Sequence, residues 1–343
     1  MTDHAVDRSG AASSAQPSED GAGAGTSVAI GIDIGGTHLR AARVTADGAL
    51  EDPVRRQTPA HAPGKLLDVL VEVIETFDGD LPIGIGMAGL VSLDGTVRYG
   101  PNIGIRNLQL ARELGERVGR AVTVLNDGSA AALAEQRVGA ARGHLDVVMF
   151  TLGTGVGGGV TRGGDLVLGR SGYAGETGHM IVAEGGRPCP CGNRGCIEAY
   201  ASGTAIGAIA RDRLADGDEA SVLRDRDHVD GRAVSDAAQA GDAVARDVLV
   251  TAGRWLGTAA ASVANLLDPD IIIVGGGAAT TTAPWLLPEA RHAMQERLLG
   301  AAFREPPPIE LATLGDDAGT VGAALYAATL PDPTLRTARV RHR

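Results

Sequence analysis

Residues 27–50 read SVAIGIDIGGTHLRAARVTADGAL, and this segment predicts a strand, a tight glycine turn and a second strand. An apolar run reaches Gly35 and Gly36, alternating apolar and polar residues follow, and an Asp-Gly pair ends the segment. Residues 146–169, DVVMFTLGTGVGGGVTRGGDLVLG, repeat this order. Because each of these two hairpins opens one half of the chain, they favour a duplicated α/β unit over one long sheet.

The remaining segments continue the α/β pattern. Helical spacing appears in residues 64–77 and 243–267, and buried strands appear in residues 122–126 and 271–275. A Rossmann fold is excluded by context, because its G-x-G-x-x-G loop joins a strand to a helix, whereas both glycine turns here lead into strands.

The predicted organisation is two α/β lobes around a cleft. We expect a first lobe over residues 27–136 and a second lobe over residues 137–315, which contains a cysteine loop at 179–198. The closing helix, residues 316–330, is expected to pack back on the first lobe. Residues 1–26 contain almost no large apolar residue and are predicted to be a disordered tail.

Composition and charge limit the kinds of binding partner and the cellular compartment that we expect for this chain. The 343 residues carry 31 Lys and Arg against 42 Asp and Glu, a formal net charge of −11. An acidic protein gains little from counterion release, so nucleic acid is not expected as a partner. The tail lacks the apolar region of a signal peptide, and no apolar run is long enough for a membrane span, so we expect a cytoplasmic protein.

The two glycine turns predict a phosphate site. Glycine allows close backbone approach, so N–H groups in such turns can point at phosphate oxygens. The first turn offers Gly35, Gly36 and Thr37, and the second offers the residues Gly153, Thr154, Gly155 and Gly157. Two turns at matching places would hold a triphosphate from both sides, and Asp33 could hold Mg²⁺ through water. Plain hairpin turns are the alternative.

Asn126 and Asp127 stand where a strand ends and a helix begins. Ligands bind at this edge of α/β sheets, but Asn and Asp are also the preferred helix N-caps. We expect one of the two residues to cap the helix. The other would face the cleft, where a carboxylate can accept a proton from a substrate hydroxyl.

All three cysteines lie in the segment CPCGNRGC, as Cys189, Cys191 and Cys196. A structural zinc site needs four ligands, and His179, ten residues before the first cysteine, is the best candidate for the fourth. Zinc on one ring nitrogen would fix the other as an N–H donor, with Glu176 and Glu198 close by. Two carboxylates and an imidazole suit the hydroxyl groups of a sugar, so we expect zinc to keep a sugar pocket rigid.

The last motif is IIIVGGG at residues 271–277, which predicts a buried strand that ends in glycines. Its terminal glycines would allow a flat nucleoside base to lie against the backbone, and a core strand followed by a loop is the alternative.

On these motifs the chain resembles the ROK family of repressors and sugar kinases. The resemblance covers nearly everything after residue 26 and rests on residues 33–37, 153–158, 176–179 and 189–198. It implies a two-lobed actin-like ATPase fold, which is ribonuclease H-like, and ATP-dependent phosphorylation of a hexose. Among the activities of the family, bacterial glucokinase is the closest, so the product would be glucose 6-phosphate.

The resemblance also implies roles for residues at matching positions. Asp127 would be the catalytic base. The implied sugar contacts are Gly89, Asn102, Asn126, Asp127, Glu176, His179 and Glu198. The implied zinc ligands are His179, Cys189, Cys191 and Cys196. The implied ATP and Mg²⁺ groups are Asp33, Gly35, Gly36, Thr37, Gly153, Thr154, Gly155 and, near the nucleoside, Gly276.

Two departures from the family pattern matter. His38 stands where members often carry Lys, and no helix-turn-helix segment precedes the first strand, which argues against a repressor. The remaining alternatives are a kinase for N-acetylmannosamine, N-acetylglucosamine, mannose or fructose, a non-catalytic sugar sensor, and polyphosphate as the donor. Family members are commonly dimers or tetramers, so a homo-oligomer is expected.

Overall fold

The computed structural model describes residues 26–330, so the predicted tail lies outside the described residues apart from Thr26. The strands of the first half are β1 Ser27–Ile34, β2 His38–Thr45, β3 Leu50–Gln57, β4 Ile83–Met87, β5 Leu90–Val91, β6 Val97–Gly100, β7 Ile105–Leu108 and β8 Val122–Asn126. Its helices are α1 Pro63–Ile74, α2 Leu110–Val118 and α3 Asp127–Val138.

The second half has the strands β9 Val147–Leu152, β10 Val156–Arg162, β11 Asp165–Leu166, β12 Ile271–Gly275 and β13 Ile309–Leu311. Its helices are α4 Glu198–Ala201, α5 Gly203–Asp216, α6 Gly231–Gln239, α7 Ala243–Leu267, α8 Gly277–Arg297 and α9 Ala318–Thr329. Among the described residues, no helix is long and apolar enough to cross a membrane.

Two five-stranded sheets have the same topology, which confirms the predicted duplication. The first sheet has the order β3-β2-β1-β4-β8, and the second has the order β11-β10-β9-β12-β13. In each sheet a three-strand antiparallel meander is followed by two parallel strands. The strands β5, β6 and β7 form a separate small sheet beside the first one.

The helices form layers around the two sheets. One core lies between the first sheet and α1 and α2, and another lies between the second sheet and α5, α7 and α8. A third core joins residues of β1, β9 and β12 with residues of α3 and α9, which therefore lie between the sheets. Helix α9, the expected closing helix, contacts β1 and β4 of the first sheet, although the lobe boundaries at residues 136 and 315 stay a prediction.

The central layer is held together by very close backbone contacts. A Cβ atom on Gly31 would lie 2.0 Å from the carbonyl oxygen of Thr320, and one on Gly322 would lie 1.7 Å from that of Ala130. On the other side of α3, a Cβ atom on Gly128 would lie 2.5 Å from the carbonyl oxygen of Gly158. Glycine at these positions lets both sheets approach α3 and α9 closely.

Candidate active site

The parallel strands of each sheet bring distant residues to one edge. Ile34 pairs with Met87, and Met87 pairs with Asn126, so β1, β4 and β8 end side by side. In the second sheet Gly275 pairs with Thr151, so β9 and β12 also end together. Both glycine turns, the start of α3 and the start of α8 therefore lie at these carboxyl ends, where open α/β sheets bind ligands.

Asn126 and Asp127 differ in what they bind. The Asn126 side-chain oxygen accepts the N–H of Ser129 at 3.0 Å, and its amide donates to the carbonyl oxygen of Gly89 at 3.1 Å. Asp127 accepts the N–H of Gly128 at 2.9 Å with one oxygen, and no other residue of the described part of the chain donates a hydrogen bond to its carboxylate. Asn126 is thus the helix cap, and Asp127 keeps an oxygen for a ligand.

Burial raises the pKa of the Asp127 carboxyl, against the opposing effect of the backbone N–H groups at the start of α3. A carboxylate with a raised pKa accepts a proton more readily near neutral pH than an exposed one does.

Asp33 lies near Asp127 at the end of β1. Burial, followed by the negative charge of Asp127, raises the pKa of Asp33 to about 7. Two carboxylates held close together in a desolvated place would be stabilised in the ionised form by a bound cation. This electrostatic pattern fits Mg²⁺ near Asp33.

Arg40 and Asp316 are charged neighbours of Asp33 that the sequence analysis missed. Arg40 pairs with Asp33 across the hairpin and lowers its pKa, whereas Asp316 raises it. Arg40 also donates to the Asp316 carboxylate at 2.7 Å and to its carbonyl oxygen at 2.9 Å. The hairpin register could have identified Arg40, but no local pattern indicates Asp316, 276 residues further along the chain.

Glu176, His179 and Glu198 come from the second half of the chain, and Glu176 lies within electrostatic range of Asp127. Burial raises the pKa of the Glu176 carboxyl, the charge of His179 lowers it, and the charges of Asp127 and Glu198 raise it further. Asp127, His179 and Glu198 therefore all lie within electrostatic range of Glu176.

Both oxygens of Glu198 already have protein partners. One accepts the N–H of Val156 at 2.9 Å, directly after the second glycine turn, and the other accepts the thiol of Cys189 at 3.3 Å. Glu198 thereby links the second turn to the cysteine loop.

The cysteine loop forms a four-ligand cluster. The ligand atoms of His179, Cys189, Cys191 and Cys196 all lie within 4.8 Å of one another. The Sγ atoms of Cys191 and Cys196 are 3.7 Å apart, and the Cys189 Sγ is 3.8 Å from the His179 Nδ1. Ligands about 2.3 Å from a tetrahedral ion lie about 3.8 Å apart, so the cluster fits zinc.

The two glycine turns have the same pattern of free donors. The N–H of Gly35 is bonded within its turn, as is the N–H of Gly153. Within residues 26–330, the N–H groups of Gly36, Thr37, Thr154 and Gly155 donate to no protein acceptor. Each turn therefore offers two adjacent N–H groups, as an anion site requires.

Gly89, Asn102 and Gly276 lie beside these turns. A Cβ atom on Gly36 would lie 3.5 Å from the Cβ of Asn102, which places Asn102 next to the first turn. Gly89 has a φ of 133°, and its carbonyl oxygen binds Asn126. Gly276 precedes α8 with a φ of 87°, and a Cβ atom there would lie 2.4 Å from the carbonyl oxygen of Leu152.

Comparison with known proteins extends the resemblance. The sequence model described as the ROK family matches residues 29–329. A glucokinase of Streptomyces coelicolor is 37% identical over 316 residues, covering 89% of this chain and 99% of the relative. An N-acetylmannosamine kinase of Escherichia coli is 32% identical over 308 residues, covering 87% and 97%.

Among solved structures, the chain is similar to a ROK family glucokinase from Streptomyces griseus in complex with glucose and AMPPNP. The TM-score is 0.75 at 38% identity, covering 86% of this chain and 97% of that one. This likeness confirms the two-lobed actin-like ATPase fold that the resemblance implied.

Proposed function

The chain belongs to the ROK family, and we propose that it is an ATP-dependent glucokinase that converts glucose to glucose 6-phosphate. The observation that carries the chemistry is Asp127: it is half-buried, its pKa is raised by desolvation, and its charge acts on Glu176 from the other half of the chain. Similarity to glucokinases over most of the chain supports glucose as the substrate.

Asp127 acts as the general base. Its free oxygen accepts the proton of the 6-hydroxyl of glucose as that oxygen attacks the γ-phosphoryl group. Glu176, His179 and Asn102 are proposed to hold the other hydroxyl groups of the sugar, because carboxylates accept from hydroxyls while the imidazole and amide can also donate.

The glycine turns hold the phosphates of ATP. The four free N–H groups of Gly36, Thr37, Thr154 and Gly155 stabilise the charge of the transferring phosphoryl group from both sheets. Mg²⁺ near Asp33 would neutralise phosphate charge. The glycines at the start of α8, including Gly276, leave room for the nucleoside.

A zinc ion would be held by His179, Cys189, Cys191 and Cys196 as a structural element. Four protein ligands close the coordination sphere, so no position remains for substrate. The ion fixes the orientation of His179 and the path of the loop to Glu198, and the proton transfer is left to Asp127.

A donor-by-sugar matrix tests this proposal. Purified protein should phosphorylate glucose with Mg²⁺·ATP in a coupled assay, with a higher kcat/KM than for N-acetylmannosamine, N-acetylglucosamine, mannose or fructose. The 32% identity to an N-acetylmannosamine kinase makes that sugar the most informative competitor. Faster turnover of another sugar would reassign the substrate, and background turnover with every sugar would favour a non-catalytic sensor. Replacing ATP by polyphosphate tests the donor.

We also propose that the enzyme is a cytoplasmic homo-oligomer, a dimer or a tetramer. Leu266, Leu299 and Phe303, at the end of α7 and after α8, are 79%, 80% and 94% exposed. The N–H of Leu299 donates to the side-chain oxygen of Asn265 at 3.0 Å, so the two segments adjoin, and exposed apolar side chains grouped in this way are typical of interfaces between subunits. Light scattering on a Phe303→Asp variant, compared with wild type, should show a smaller particle.

A further inference from the structure

A short segment between β3 and α1 touches two neighbouring parts of the candidate site, both from the first half of the chain. Residues 58–61, which we call the strap, contact the first glycine turn, residues 35–37, at one end and the loop of residues 101–104 at the other. That loop carries Asn102.

Thr58 binds the turn through two donors. Its N–H donates to the carbonyl oxygen of Thr37 at 2.9 Å, and its hydroxyl donates to the carbonyl oxygen of Gly35 at 2.8 Å. Thr58 is only 6% exposed, so water cannot easily replace these bonds. Because Thr58 binds the carbonyl groups of the turn, the turn keeps its shape while the N–H groups of Gly36 and Thr37 remain free for a ligand.

His61 binds the neighbouring loop. Its N–H donates to the carbonyl oxygen of Ile103 at 2.7 Å. Its imidazole lies so close to Gly104 that a Cβ atom there would be 2.1 Å from Nδ1. His61 has a φ of 59°, an unfavourable conformation for a residue other than glycine, so surrounding contacts must hold it in place. The strap therefore keeps the turn and the Asn102 loop at a set spacing.

We propose that Thr58 is a positioning residue for phosphoryl transfer. Its hydroxyl holds the first glycine turn in the shape that receives the phosphates, and the strap keeps that turn in register with Asn102. Thr58 itself does not touch the substrate. The inference rests on the proposed function, because it assumes that the first turn binds the donor phosphates.

Two variants separate the hydroxyl of Thr58 from the shape of its side chain. Thr58→Val keeps the backbone donor and the volume but removes the hydroxyl, whereas Thr58→Ser keeps the hydroxyl. Loss of one buried hydrogen bond should weaken binding of Mg²⁺·AMPPNP, or raise the KM for ATP, about 10-fold in Thr58→Val. Thr58→Ser should stay within about twofold of wild type, and the Kd for glucose should stay within about threefold in both.

Isothermal titration with Mg²⁺·AMPPNP measures the nucleotide Kd, and steady-state kinetics measure KM and kcat independently. A Thr58→Val variant with a lower Tm but wild-type nucleotide Kd, KM and kcat would overturn the proposal and reduce Thr58 to a packing role. Equal losses in Thr58→Val and Thr58→Ser would also overturn it, because the hydroxyl would not be the cause. If wild type binds the nucleotide but phosphorylates no glucose, the proposed function fails, and the nucleotide Kd of the variants still decides the role of Thr58.

Discussion

Asp127 combines two properties of a general base: a free carboxylate oxygen and a pKa raised by burial. Asp127→Asn removes the proton acceptor but preserves the size of the side chain. We expect kcat for glucose phosphorylation to fall by about 10²–10⁴, with the Kd for glucose largely unchanged. Steady-state kinetics and calorimetric titration measure the two effects separately.

The matched control is Asp68→Asn, which alters an exposed carboxylate paired with Arg117 on the surface. It should leave kcat and KM within about twofold of wild type, since exposed ion pairs contribute little. Near-normal turnover in Asp127→Asn would remove Asp127 from its proposed role.

Asp33 predicts a pH dependence of stability. Its pKa rises from 3.8 to about 7 on folding, so between these values the folded chain binds more protons than the unfolded chain. The free energy of unfolding without Mg²⁺ and nucleotide should therefore decrease as pH rises, by on the order of 2 kcal/mol between pH 5 and 7.5. Urea titrations at both pH values measure this decrease.

Asp33→Asn should flatten that dependence, because an amide does not titrate. Asp52→Asn is the comparison, since Asp52 is an exposed carboxylate outside the site. An equally steep decrease in Asp33→Asn would show that other groups cause it.

Among the structural elements, the cysteine loop connects the proposed zinc ligands to the rest of the site. Besides the Glu198 contacts, the hydroxyl of Tyr200 accepts the N–H of Arg187 at 2.8 Å, and the Tyr200 ring packs on Trp255 of α7. The loop is therefore supported at its base by α4 and α7, while backbone hydrogen bonds such as the one from the Cys189 N–H to the Asn193 carbonyl oxygen, 2.9 Å, close its tip.

Cys196→Ser should abolish stoichiometric zinc and raise the KM for glucose at least about 10-fold, more than the KM for ATP. The reason is that Cys196 is fully buried and His179 loses the ion that orients it. Metal analysis and paired KM measurements check the two parts. Wild-type protein purified without zinc, yet fully active, would contradict the structural role of the ion.

The carboxylate of Glu135 joins α3 to the segment before α9. Glu135 is fully buried and accepts the N–H groups of Ala140, Thr313 and Leu314 at 2.7, 3.0 and 2.8 Å. Glu135→Ala leaves these donors without partners and should lower the free energy of unfolding by about 3 kcal/mol. Denaturant unfolding should show no comparable loss for Glu116→Ala, an exposed Glu on α2.

The sequence predicted the elements whose signals are local. The two hairpins, the helix that begins at Asp127 and the end of α7 before Asp268-Pro269 follow from glycine turns, alternation and caps. Helix α8 could not be predicted in this way, because Pro284 and Pro288 lie inside it. Its packing against α7 outweighs the local cost of two prolines.

The features of the candidate site also divide into those with a local sequence signal and those that depend on contacts between distant elements. The ligand cluster was predictable because its members lie within 18 residues of one another, whereas the local pattern left open which of Asn126 and Asp127 caps α3. The Arg40–Asp316 pair and the bond between Glu198 and Val156 depend on how distant elements pack, so spacing alone could not reveal them.

At the scale of the whole molecule, the central layer formed by α3 and α9 contacts both sheets and so sets the position of one sheet relative to the other. Helix α9 lies against β1 and β4, α3 lies against α9, and the start of α3 lies against β10. Glycines occupy the closest contacts along this path. Because Asp127 begins α3, any separation of these layers also moves this proposed general base relative to both glycine turns.

Gly322→Ala tests this layer. The added Cβ atom would lie 1.7 Å from the carbonyl oxygen of Ala130, so α9 and α3 must move apart, and the free energy of unfolding should fall by roughly 2–3 kcal/mol. Since α3 carries Asp127, kcat should fall as well. Gly64→Ala in α1 is the matched control, because nothing lies within 4 Å of its Cβ position. Alanine favours the helix there, so stability should hold or rise by up to about 1 kcal/mol. Equal stability of the two variants would mean that the contact between α3 and α9 is looser than the structure indicates.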